Sequence, residues 1–139
     1  MSEQATLKLA TVEGDGLRFE AEFPRGTIVM ESGATATHPN PVQFLMTSLA
    51  ACMGIDVIGI LRKKRLKVTS YAIEMHGERA ENPPRRYTRI TLTHRLVGQA
   101  IPRKAVEDAI QLSTDTYCSV HHTLRPDLPV DNIIEITEG

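Results

Sequence analysis

Two cysteines are the residues of this 139-residue chain whose side chains could act as nucleophiles or as a redox pair. Cys52 lies about three turns into a long apolar segment, where a cysteine can simply pack as a small hydrophobic residue. It would react if substrate could reach it and a nearby cation favoured the thiolate, which is the nucleophilic form. Cys118 lies in a Tyr-Cys-Ser run at the end of a predicted helix, where a side chain can point into a cleft. Two such thiols can form a disulfide if their Cα atoms come within about 7 Å, which their spacing leaves open.

The five histidines are scattered and do not form a metal-binding pattern. His76 and His94 fall in strand patterns and are predicted to be surface or packing residues. His38 precedes the helix that carries the first cysteine, so it is the histidine we would test first for a role near that thiol. Two adjacent histidines follow the second cysteine, but a structural zinc site normally needs four nitrogen or sulfur ligands. We therefore expect no metal.

The composition bounds the class of protein. With 41% hydrophobic and 24% charged residues, the chain can form one core, and we expect a single domain over residues 1–139. A net charge of -1 provides no field that would attract nucleic acid or an anionic membrane, and the chain has no tryptophan and 4% aromatic residues for base stacking. The first residues lack a signal-peptide pattern, and two cysteines are few for a secreted scaffold, so we expect a cytoplasmic, reducing environment.

The elements that must position the cysteines follow from periodicity and turn residues. Residues 5–36 predict a three-stranded β-meander, because apolar and polar residues alternate between glycine and proline turns. Two longer strands are predicted at 68–76 and 87–97, a second helix opens at Pro102, and a closing strand spans 131–137. The order β-β-β-α-β-β-α-β predicts an α+β fold with a mostly antiparallel sheet.

The helix that carries Cys52 has a predicted start at Asn40-Pro41. Asn40 is a suitable cap, Pro41 suits the first helical position, and Gln43 stands three residues after the cap, as in a capping box. The following apolar residues are not confined to one stripe, so protein or lipid should surround the helix. An acid at Asp56 would cost about 2.5–3.5 kcal/mol at the centre of a membrane span. A buried central helix is therefore favoured over a membrane anchor.

Three stretches together resemble the OsmC/Ohr family of bacterial thiol-dependent peroxidases: NPVQFLMTSLAACMGIDVIGILRKKR, YAIEMHGERAENPPRRYTRITLTHRLVG and AIQLSTDTYCSVHHTLRPDLPV. The resemblance runs from about Leu7 to Thr137 and is most specific where each cysteine stands in its expected local context. It implies an OsmC-like α+β fold, in which antiparallel sheets wrap around two central helices of an intertwined homodimer. It also implies chemistry without a metal or a bound organic cofactor.

The resemblance assigns roles to the two cysteines as well. Cys52 would be the peroxidatic thiolate and Cys118 the resolving thiol in the reduction of organic hydroperoxides to alcohols, a defence against oxidative stress. The sulfenic acid formed on the first cysteine would condense with the second to a disulfide. A dithiol reductant of the lipoyl type would then restore both thiols.

The chain departs from the best-studied family members near the helix start. They carry a glutamate directly after Asn-Pro, paired with an arginine that lies over the first cysteine and would favour its thiolate. Here that position is Val42, and no arginine stands between Ser32 and Cys52. Gln43 and His38 are the candidates for a supporting role in a sequence that resembles a divergent OsmC-like branch. The alternative function is a non-peroxidatic dimer that binds a small apolar or thiol-reactive ligand in the same cleft.

Overall fold

A computed structural model describes the backbone of residues 1–139 and the side chains of all of them except Glu13. The chain forms two compact units, residues 1–45 and residues 46–139. In chain order the elements are β1 (Thr6–Glu13), β2 (Gly16–Phe23), β3 (Gly26–Ser32), α1 (Pro41–Lys63), β4 (Val68–Arg79), β5 (Tyr87–Gly98), α2 (Arg103–Leu112), a π-helical turn (Ser113–Tyr117), α3 (Ser119–Thr123) and β6 (Val130–Glu138).

The first unit contains an antiparallel sheet with the strand order β1-β2-β3, so the predicted meander is confirmed. Phe19 at the centre of β2 pairs with Leu9 on one side and with Met30 on the other, which places apolar side chains next to each other across three strands. The turn between β1 and β2 uses Gly14 at a φ of 59°, a backbone region that favours glycine.

The second unit contains the sheet β4-β5-β6, which is mixed. β4 and β5 pair antiparallel, whereas β5 and β6 pair parallel. A parallel pair needs a crossover between its strands, and the segment with α2, the π-helical turn and α3 supplies it. The α+β class is thus confirmed, while the expected antiparallel sheet is corrected in its last strand.

The core of the second unit is formed by β5, α1 and α2. Ile90, Leu92 and Leu96 share the buried face of β5, as their alternation predicts, and His94 joins them there as a packing residue. The two helices contribute the side chains of Leu49, Met53, Val57, Leu61, Val106 and Ala109, all of which are fully buried. The α1 members recur every four residues, so α1 presents one buried stripe to this core.

The capping box at the start of α1 forms as the sequence predicts. The backbone N–H of Asn40 donates to Gln43 Oε1 over 3.0 Å, and the N–H of Gln43 donates to Asn40 Oδ1 over 2.9 Å. Two N–H groups that the helix cannot satisfy internally thereby find acceptors, which fixes the start of the helix at Pro41.

The expectation that α1 is surrounded on all sides is not met within one chain. Ile55 is 71% exposed and Leu45 is 44% exposed. By length and composition alone α1 is apolar enough to span a membrane, and 28% of its most apolar window is buried. Core helices of proteins that cross no membrane pass the same test, so this is weak evidence for a span.

Candidate functional site

Cys52 lies on the part of α1 that packs closely on β4. Gly54 allows this approach, because a Cβ atom there would lie 3.0 Å from Ile73 Cδ1 and 3.8 Å from Tyr71 Cε1. Cys52 is a free thiol and is partly exposed. An apolar groove of about 410 Å³ includes its chain neighbour Ala51 but not Cys52 itself, and is lined by Thr47, Ala50, Ala51, Gly54, Ile55, Tyr71, Ile73 and Met75. The first cysteine is therefore accessible within its own unit.

Cys118 is positioned by the π-helical turn. Its N–H donates to the carbonyl of Ser113, five residues earlier, over 2.8 Å. Cys118 also caps α3, because its Sγ accepts a hydrogen bond from the N–H of His121 over 3.4 Å. Its thiol is free and fully buried. Hydrogen bonds to one residue before Cys118 and to one residue after it therefore fix its position.

The structure brings the two thiols together, although they lie far apart in the sequence. Burial is the largest cause that raises the pKa of the Cys118 thiol to about 11, against the weaker opposing effect of the His121 N–H. A hydrogen bond with Cys52 and the charges of Cys52 and Asp56 raise it further. At neutral pH the buried cysteine is thus protonated.

Asp56 and Ser113 belong to the same site and were not singled out for chemistry from the sequence. Ser113 is fully buried, and its Oγ donates to Asp56 Oδ2 over 2.8 Å. A signal was present, because Asp56 is the one acidic residue in α1 and stands four residues after Cys52. Residues at that spacing share a helix face. The partner of Asp56 could not be found in this way, since it is contributed by another element.

A second buried polar group lies under the same helix. His94 is fully buried, its Nε2 is 2.8 Å from Asn132 Oδ1, and its Nδ1 is 2.6 Å from the Tyr71 hydroxyl. The consistent arrangement has Nε2–H donating to Asn132 and Tyr71 O–H donating to Nδ1 of a neutral imidazole. Burial lowers the pKa of His94, against the opposing effect of the Asn132 hydrogen bond, and burial raises the pKa of Tyr71. Both groups therefore stay neutral near pH 7.

The two predicted supporting residues, His38 and Gln43, lie in the first unit, where each has a different partner. The Gln43 side chain takes part in the capping box of α1. His38 Nδ1 lies 2.6 Å from Glu31 Oε1, and Arg18 approaches the same oxygen at 3.7 Å. The N–H of Thr37 donates to the other Glu31 oxygen and is the main cause that lowers the pKa of Glu31. A role of either residue at Cys52 stays a prediction.

The described residues of the second unit provide neither a cation bonded to Cys52 nor a cluster of metal ligands. Within residues 46–139 no described arginine, lysine or histidine side chain is bonded to Cys52. Among the side chains that the structure describes, no three His, Cys, Asp or Glu residues are grouped as metal ligands would be. The groups that act on the Cys118 thiol inside this unit are Cys52, the Asp56 carboxylate and the backbone N–H of His121.

Comparison with known proteins identifies the class to which this fold and cysteine pair belong. Residues 33–132 match the family model described as OsmC-like protein. Because this match covers more than half of the chain, the protein belongs to the OsmC-like family, and the resemblance noted in the sequence is confirmed.

Comparisons with individual proteins support the same family assignment. The chain is 31% identical over 123 residues to Protein YhfA of Escherichia coli K12, covering 88% of this chain and 92% of the relative. A crystal structure of a hypothetical protein from Aquifex aeolicus VF5 is 29% identical, with a TM-score of 0.83 and 99% of both chains covered. The organic hydroperoxide resistance protein OhrB of Bacillus subtilis is 15% identical, with a TM-score of 0.62 over 96% of this chain and 98% of its own, and shares the fold.

Proposed function

We propose that the protein is a thiol-dependent peroxidase that reduces organic hydroperoxides, with Cys52 as the peroxidatic and Cys118 as the resolving cysteine. The observation that carries the proposal is the proximity of these two free thiols, which are contributed by different elements and lie close enough for Cys52 to raise the pKa of Cys118. The more exposed of the two is the one that a substrate can reach. Membership of a family that includes peroxidases supports the same assignment.

The proposed reaction has three steps. The Cys52 thiolate attacks an oxygen of the hydroperoxide, so that an S–O bond forms, the O–O bond breaks, and the departing alkoxide takes a proton to become the alcohol. The sulfur of Cys118 then attacks the sulfenic sulfur, and the S–O bond breaks as water leaves with the thiol proton. A small dithiol of the lipoyl type reduces the resulting disulfide and is itself oxidised to a cyclic disulfide.

Turnover with a dithiol tests the proposal. With cumene hydroperoxide and dihydrolipoamide, we expect the wild type to form alcohol catalytically and Cys52→Ser to fall to the uncatalysed rate, because no sulfur remains to attack the peroxide. Cys118→Ser should still form about one alcohol per chain in a first burst, since the first step does not use Cys118. Hydrogen peroxide serves as the comparison substrate, and the apolar groove predicts that it reacts more slowly than the cumene compound.

The assignment fails if the wild type turns over no faster than Cys52→Ser while free-thiol titration shows both cysteines reduced. Ser70→Ala is a suitable control, because it changes an exposed hydroxyl on β4 without removing a thiol. It should retain the activity of the wild type within about threefold, as is usual for a small change away from the reacting atoms.

A homodimer and a cytoplasmic location are parts of the same proposal. The exposed apolar side chain of Ile55 and the low buried fraction of α1 support a second copy that covers this helix. Sedimentation equilibrium would then find about twice the mass of one 15.4 kDa chain, and a single-chain mass would contradict the dimer. A reducing compartment is proposed because a cycle that restores two free thiols depends on a supply of dithiol.

The second candidate function is a non-peroxidatic dimer that binds a small apolar or thiol-reactive ligand. It is favoured by the apolar groove along α1 and by the lack of a cation bonded to Cys52 within residues 46–139. Calorimetric titration with cumyl alcohol, which cannot oxidise a thiol, separates the two functions. Saturable binding together with no peroxide turnover would favour the binding protein, whereas turnover favours the peroxidase.

A further inference from the structure

Ser113 connects the second cysteine to α1 through two separate hydrogen bonds. Its carbonyl accepts the N–H of Cys118 over 2.8 Å, which closes the π-helical turn. Its hydroxyl donates to Asp56 Oδ2, also over 2.8 Å. The backbone position of Cys118 is therefore tied to a carboxylate on the helix that carries Cys52.

The connection closes into a ring of four residues. Asp56 follows Cys52 by four positions on α1, so the two side chains project from the same helix face. From Asp56 the ring continues to Ser113 by a side-chain hydrogen bond, then to Cys118 through the π-helical turn, and it closes at Cys52, whose side chain lies beside that of Cys118. Each cysteine is thus held relative to the other by contacts that do not involve sulfur.

The carboxylate is an unusual choice for a purely structural contact. A half-buried acid in an apolar helix loses hydration, and a buried hydroxyl such as that of Ser113 can be satisfied by a neutral acceptor at lower cost. The negative charge has an effect that a neutral acceptor would lack, because it opposes ionisation of the thiol beside it. Asp56 therefore acts on Cys118 in two ways, through position and through charge.

We propose that Asp56 and Ser113 are positioning residues for disulfide formation, which hold Cys118 beside Cys52 and place a negative charge next to it. The inference rests on the proposed function in giving Cys118 the resolving role. It goes further in naming the two residues that prepare the resolving step. The proposed roles require neither residue to contact the peroxide.

The positional part predicts a change in the equilibrium between dithiol and disulfide. In mixtures of reduced and oxidised dithiothreitol, Ser113→Ala and Asp56→Ala should each lower the effective concentration of one thiol toward the other by about tenfold, the effect expected for one lost hydrogen bond. The double variant should lower it no further, because both changes break the same bond. Asp56→Asn should restore it to within about threefold of the wild type, since its amide oxygen can still accept from the hydroxyl.

The charge part predicts a different pattern. In a Cys52→Ser background, the rate at which iodoacetamide alkylates Cys118 should rise with pH as the thiolate forms. Asp56→Asn should move this profile to lower pH, because the negative charge is gone. Ser113→Ala retains the charge and should move the profile less. The titratable groups that shift the pKa of this thiol are Cys52, which is replaced in this background, and Asp56, while His121 acts through its backbone N–H.

Two neighbouring substitutions serve as controls. Ser119→Ala removes an exposed hydroxyl directly after Cys118, and Asp115→Asn removes an exposed charge within the π-helical turn. Neither residue belongs to the ring, so both variants should match the wild type in each measurement. Circular dichroism at each pH confirms that the compared proteins are folded.

The proposal is overturned if Ser113→Ala and Asp56→Ala both keep the effective concentration within twofold of the wild type. If either alanine variant does not fold, Asp56→Asn decides alone, and an unmoved alkylation profile rejects the role of the charge. Neither measurement uses a peroxide. A protein without peroxidase activity can therefore still pass these tests, and an active peroxidase can still fail them.

Discussion

At the scale of single residues, sequence and structure contributed different parts of the site. The sequence identified both cysteines as candidates, and the family resemblance assigned their roles. Their contact could not be predicted from spacing, because it depends on how a crossover of about thirty residues returns to α1. The partner of Asp56 was missed for the same reason. A residue's type and its helix face can be inferred from sequence, whereas a contact between distant elements requires the fold.

His94 provides a prediction at this scale. Because burial lowers its pKa below the ordinary value of 6.5, the unfolded chain binds a proton more readily than the folded one. This contribution to stability is complete above about pH 6.5 and is lost as the pH falls toward the folded pKa. The stability difference between wild type and His94→Gln should therefore shrink between pH 7.5 and pH 5.5, by at most about 1.4 kcal/mol per pH unit.

Urea unfolding at both pH values measures this difference at one fixed protein concentration. The exposed His76 gives the control, and His76→Gln should show no comparable change with pH. A stability difference between wild type and His94→Gln that is equal at the two pH values would contradict the account of a neutral imidazole bonded to Tyr71 and Asn132.

At the scale of elements, local signals were sufficient where a structure depends on neighbouring residues. The β-meander and the start of α1 follow from alternation, turn residues and the capping box. The parallel pairing of β6 and the π-helical turn were not predicted. Strand direction is set by the path of the crossover, and the π-helical turn is a rare local change that directly follows α2, so neither leaves a clear local pattern.

The capping box supplies the prediction for this scale. Asn40→Ala should lower the free energy of unfolding by about 1 kcal/mol, because the N–H of Gln43 loses its acceptor. Thr35→Ala, an exposed change in the preceding loop, should stay within about 0.5 kcal/mol of the wild type. Chemical unfolding measures both variants, and equal effects would show that the cap does not determine where α1 begins.

At the scale of the whole molecule, the α+β class and the OsmC-like family were predicted from sequence and are confirmed. The all-round apolar surface of α1 predicted a fully surrounded helix, but one chain buries a single stripe of it. The apolar pattern of a helix indicates that its surface is covered. It does not show whether the covering residues belong to the same chain or to another copy. A second copy on the exposed side of α1, as in the proposed homodimer, would remove this difference between the sequence pattern and the single chain.

The central claim is that peroxide oxidises Cys52 and that Cys118 then captures it. Its most direct test is peptide mapping by mass spectrometry, without reduction, after one equivalent of cumene hydroperoxide is added to the fully reduced protein. The account predicts one alcohol per chain and a disulfide that joins the peptides containing Cys52 and Cys118. Recovery of both cysteines as free, alkylatable thiols, with the hydroperoxide unconsumed, would contradict it.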